Sequence, residues 1–128
     1  MAQSMNNSVD LTVKATSFHG MGVYGHILVG NNALEFYNEK NPEDYIQIPW
    51  TEVDSIAAEV LPGKIIPRFA VITKQSGHFA FSTRDNKATL RAIQKYVPAE
   101  RMERSASFID VINLGVRRIF RTLTGRRD

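Results

Sequence analysis

Three kinds of residue in this 128-residue chain could carry chemistry: histidines, clustered carboxylates and a glycine-rich run. The run Gly20-Met21-Gly22-Val23-Tyr24-Gly25 matches G-x-G-x-x-G. That motif holds a dinucleotide because its last glycine opens a helix whose amino end meets the pyrophosphate. Here His26-Ile27-Leu28-Val29 follows and reads as strand, so a turn is expected and a nucleotide site is not. His19, His26 and His78 show no metal-ligand spacing, and no acidic cluster completes one. Glu39, Glu43 and Asp44, then Glu52, Asp54 and Glu59, form loose groups that suit a solvated loop and a strand edge better than a catalytic pair. There is no cysteine and no nucleophile elbow. No catalytic, cofactor-binding or metal-binding residue is assigned, and a non-enzymatic binding module is expected.

The strongest functional signal is a periodicity near the carboxy terminus. Ser105 to Thr124 reads as a helix. On a wheel at about 100° per residue, Phe108, Ile109, Ile112, Val116, Ile119, Phe120 and Leu123 fall within about 120°. Arg117, Arg121 and Arg118 lie roughly opposite, outside that stripe. Val111 and Leu114 lie off it, and Gly115 costs about 1 kcal/mol of helix propensity. Charge follows the same division. Residues 1–100 carry nine Lys/Arg against ten Asp/Glu, net −1; residues 101–128 carry seven Arg against three acids, net +4. Basicity therefore belongs to the tail, and a confined arginine segment suits a negatively charged surface. The bland reading packs the helix onto its own domain. The sharper one presses its apolar stripe into a membrane surface or a partner's groove, with the arginines near anionic groups. Phe108, Ile112, Val116, Arg117, Arg118, Ile119, Phe120, Arg121 and Leu123 are the expected contacts. A helix of this kind can also pair with its own copy in a homo-oligomer.

The elements that carry this tail read as short strands. Leu11–Ala15, His26–Val29, Ala33–Tyr37, Tyr45–Ile48, Val53–Val60, Phe69–Thr73 and His78–Phe81 alternate or run apolar, and a loop is expected over Ser17–Gly25. Pro62-Gly63-Lys64 and Lys74-Gln75-Ser76-Gly77 read as turns. A helix over Asn86–Val97 follows, with Asp85 among its capping residues and Leu90, Ile93 and Val97 on one face. The expected fold class is mainly β (α+β): a small bent antiparallel barrel over residues 1–100, closed by one helix, with residues 101–128 as a basic amphipathic extension. Phe79 and Phe81 could imitate an RNA-binding sheet, but the slightly acidic barrel argues against nucleic acid. No apolar run approaches the roughly 20 residues of a membrane span, and the amino end lacks the features of an export signal.

Tyr45-Ile46-Gln47-Ile48-Pro49-Trp50-Thr51-Glu52-Val53, followed by Phe69–Thr73, Phe79-Ala80-Phe81-Ser82 and a helix, resembles pleckstrin-homology-like domains. Met1-Ala2-Gln3-Ser4, Val9–Phe18, Leu34–Asn38, Ile66–Ala70 and Leu90-Arg91-Ala92-Ile93 narrow the likeness to the small bacterial ManO family, encoded beside mannose-type sugar phosphotransferase genes. The resemblance covers nearly the whole chain and contains no catalytic motif. It implies a cytoplasmic accessory or regulator of the mannose-class phosphotransferase system, peripheral on the inner face of the membrane, with the sugar transporter's membrane components as partner. The alternative is an anionic-lipid-binding module independent of the transporter.

Overall fold

Alternating side chains divide most strands of the sheet into a core row and an outward row. In the computed structural model, which describes residues 3–18 and 22–105, Val9–Ser17 is β1, Val23–Gly30 β2, Ala33–Asn38 β3 and Tyr45–Pro49 β4. A 3-10 turn over Trp50–Glu52 leads to β5 (Val53–Glu59), β6 (Phe69–Thr73) and β7 (His78–Thr83). Then come helix α1 (Asn86–Gln94), a second 3-10 turn (Ala99–Arg101) and β8 (Met102–Ser105). The alternating residues Ile27/Val29, Leu34/Phe36, Phe69/Val71 and Phe79/Phe81 face one apolar core, which Ile48, Val53 and Ile56 join. Phe81 sits at its centre, 5.9 Å from Phe36 and 6.0 Å from Phe69 between ring centroids.

The strands form one eight-stranded sheet in the order β4-β3-β2-β1-β7-β6-β5-β8. The mainly β class stands, but the closed antiparallel barrel does not. Closure would require β4 to pair across to β5 or β8. Instead the free edge of β5 is taken by β8, which runs parallel to it from Met102 opposite Ile56 to Ser105 opposite Glu59. At the other edge, the side chain of Gln47 on β4 donates to the Gln3 carbonyl, 2.8 Å. β8 was not expected: Ser105 ends a strand, where the sequence suggested the start of a helix. Residues 106–124 lie outside the described residues. The expected loop over Ser17–Gly25 is also shorter, because Val23, Tyr24 and Gly25 pair within β2.

Helix α1 begins where expected. The Asp85 carboxylate accepts from the Ala88 amide at 3.0 Å, an N-cap that satisfies an orphan donor. Leu90, Ile93 and Val97 enter the core from one side of this helix and the turn that ends it before Pro98. The hairpin across 74–77 forms as expected, with Gly77 at φ +76° and the Thr73 hydroxyl donating to its carbonyl at 2.6 Å.

Candidate functional site

Every contact residue expected from the helical wheel, Phe108, Ile112, Val116, Arg117, Arg118, Ile119, Phe120, Arg121 and Leu123, lies outside the described residues. The structure does fix where that segment departs: from Ser105, paired with Glu59 at the edge of β5. The chain after α1 turns at Pro98 and runs back along β5, so the arginine-rich tail leaves from a sheet edge.

A cavity of about 150 Å³ opens between β3/β4 and β7. Val23, Phe36, Ile46 and Phe79 supply its apolar lining, and Ser17 and Asp44 its polar members. Drug-sized ligands need roughly 300–1,000 Å³. This one suits a single side chain. Phe18 and Tyr24 are exposed at the β1 and β2 ends that flank it. Phe79 lines this cavity and Phe81 is fully buried, so neither forms the exposed aromatic sheet that RNA recognition requires.

The outer face of β1–β4 carries Tyr45, Tyr37, His26 and Lys14 in one cross-strand row. The rings of Tyr37 and Tyr45 lie 6.0 Å apart. Burial, and then the neighbouring Glu35 charge, pushes the Tyr37 hydroxyl above its ordinary pKa.

Glu35 is the one carboxylate wholly buried among the described residues, and no motif in the sequence singles it out. It points away from the core, yet the amino-terminal strap 3–8 covers it. Its carboxylate accepts from Ser4 Oγ (2.6 Å), the Met5 amide (2.7 Å), Asn6 Nδ2 (3.2 Å) and Gln47 Nε2 (2.9 Å). Asn6 Oδ1 in turn accepts from the Asn32 and Ala33 amides, both at 2.8 Å. Donors on every side satisfy the buried charge, so this is a structural clamp for the strap. Its only sequence signal is a charge between Leu34 and Phe36, which the alternation assigns to a solvated face.

A second polar cluster ties the end of α1 to β1. Tyr96 donates its hydroxyl to Asp10, Lys95 Nζ lies 3.3 Å from the same carboxylate, and Trp50 stacks on Tyr96 at 5.2 Å. The Tyr96 hydrogen bond, assisted by Lys95, holds the Asp10 carboxyl below its ordinary value. The same contact raises Lys95 and Tyr96.

His26 lies on the outer face beside Lys14 and Tyr37, and His78 opens β7; the structure does not bring them together. Glu39, Glu43 and Glu52 are exposed, and Glu59 pairs with Arg68 at 3.3 Å. Among the described residues no group of three His, Asp or Glu is placed to hold a metal ion. Gly25 lies inside β2 opposite Asn38, so the glycine run meets a strand and not a helix.

Comparison with known proteins bears on family and fold. Residues 1–116 match the family described as a domain of unknown function, DUF956. The chain belongs to that family. No curated protein matches this DUF956 chain. Among solved structures, it is similar to the C-terminal domain of an unknown protein from Leishmania infantum, with a TM-score of 0.61 at 11% identity, covering 70% of this chain and 83% of that one. At that identity the likeness concerns the DUF956 fold alone.

Proposed function

We propose that the protein is a non-enzymatic regulator of the mannose-class phosphotransferase system, docking on the cytoplasmic face of the membrane sugar transporter. The sheet is read as a pleckstrin-homology-like scaffold and residues 106–124 as its amphipathic docking helix. The carrying observation is the departure of the chain from Ser105 at a sheet edge, just before the stretch that concentrates apolar and arginine residues at helical spacing. The resemblance to the ManO family supplies the transporter. Among the described residues no helix is long and apolar enough to cross a membrane.

The test is a pull-down from native membranes. Full-length protein is expected to retain the transporter's membrane components, and R117Q/R118Q/R121Q to lose most of them. Equal recovery by both proteins rejects the arginine face. The second reading, an anionic-lipid module, rests on the same +4 segment. It predicts flotation with phosphatidylglycerol vesicles that weakens between 0.1 and 0.5 M salt without any transporter present.

A further inference from the structure

The sheet has a second buried face that no described helix accounts for. On β5–β7 the core side is taken by Val53, Ile56, Ala58, Phe69, Val71, Phe79 and Phe81. Pairing places Ala57, Ala70 and Ala80 in one cross-strand row on the opposite side, with Ser55 and Ile72 paired beside it. An open sheet shows such a face to water. Here Ala57 and Ala70 are 0% exposed, Ile72 1% and Ser55 2%. Helix α1 does not cover them, since Leu90 and Ile93 join the core cluster. Ser55 supplies an independent sign: its hydroxyl is buried on this face with no hydrogen-bond partner among the described residues. A hydroxyl that lacks a protein partner and is also closed to water marks this face as covered and not solvated.

We propose that the occupant is this chain's own segment 106–124, its apolar stripe packed on the alanine row of β5–β7. The segment begins at the edge of that face, because Glu103 of β8 pairs with Ala57 in the same row. From β8 to β7 is three strand spacings, about 14 Å. Nineteen residues of helix span about 28 Å, enough to cross it. Small side chains in a row let a helix approach closely, and Phe108, Ile112, Val116 and Ile119 supply the bulk that alanines lack. Tethering at the edge gives this segment an effective concentration of about millimolar, which a separate partner or a second copy must beat. Docking in this way leaves Arg117, Arg118 and Arg121 directed outward.

The consequence deepens the proposed function and rests on it: the stripe has two competing places of burial, and engagement of the membrane or transporter requires its release from the sheet. The docked form is then the resting state, and an anionic surface that attracts the arginines draws the stripe off.

The chain has no native cysteine, so engineered pairs report on docking directly. Ala80 is half-buried at the β7 end of the alanine row. A80C is combined in the full chain with I112C, V116C or I119C on the stripe, or with R117C on the opposite face. Under mild oxidation at least one stripe pair is expected to form an intramolecular disulfide at least tenfold faster than the R117C pair. Equal rates for all four overturn the docking, and a disulfide-linked dimer assigns the face to a second copy and overturns it too. The fastest pair, oxidised, is expected to lose at least tenfold in recovery on native membranes and regain it in dithiothreitol. Unchanged recovery when locked overturns the competition. If the reduced protein fails to bind membranes as well, the functional reading falls while the disulfide rates still decide the docking.

Discussion

At the scale of single residues, the consequential groups are those whose surroundings contradict their type. Glu35 is a charge with no exposure, held by donors from the strap and from Gln47. Glu35→Ala removes the acceptor that four donors share. Urea unfolding is expected to show a loss of about 2–3 kcal/mol, and limited proteolysis to trim residues 1–8 faster than in the wild type. Glu35→Gln keeps one acceptor oxygen and is expected to lose less. Gly25 is a second such residue. A Cβ there would lie 2.0 Å from the Tyr37 carbonyl oxygen and 2.9 Å from the Phe36 ring. The first obstacle is backbone, which cannot step aside without opening the β2–β3 ladder. Gly25→Ala is expected to cost about 2–3 kcal/mol or more, read by thermal melting. Composition reveals neither residue: one glycine in a strand and one acid between apolar neighbours are ordinary until the partner strand or strap is in place.

At the scale of elements, the junction of α1 with β1 sets a pH response. Asp10 is depressed in the fold, so its contribution is present above the ordinary aspartate value of about 3.9 and is lost as pH falls through the folded value. Lys95 and Tyr96 are raised, so theirs is present below their ordinary values near 10 and is lost as pH rises through the folded ones. The contact therefore works across neutral pH and fails at both ends. Asp10→Asn is expected to lower the melting temperature slightly at pH 7, and that difference is expected to vanish in acid, below the ordinary aspartate range. A difference that persists there assigns the effect to packing of Trp50 on Tyr96. Most strands of this layer were legible because they alternate or run apolar between turn residues, and α1 because Asp85 caps a run with Leu90 and Ile93 one turn apart. β8 was not: Met-Glu-Arg-Ser has neither β-branching nor a long alternation, and only the open edge of β5 makes it a strand.

At the scale of the whole molecule, the sheet has an edge that one short strand protects. Truncation after Ser105 leaves β8 in place, and truncation after Arg101 strips it from β5. The second truncation exposes the unpaired groups of Ile56–Glu59, a template for aggregation. It is expected to reduce soluble yield more than the first, by light scattering at equal concentration. Both truncations remove the proposed cover of Ala57, Ala70 and Ile72, so both are expected to bind more anilinonaphthalene sulfonate than the full chain. Equal dye binding in all three shows that the face does not depend on the tail.

The mainly β class, the capped helix, the turn at 62–64 and the separation of a near-neutral body from an arginine-rich tail all follow from local order along the chain. Period, capping and charge are properties of neighbours in sequence, and they survive without a fold. Burial of Glu35, the clash that Gly25 avoids, the failure of the barrel to close and the second buried face of β5–β7 were decided by the tertiary structure. Each depends on which distant segment covers a surface or occupies an edge, and pairings between residues tens of positions apart leave no periodic trace in a single sequence.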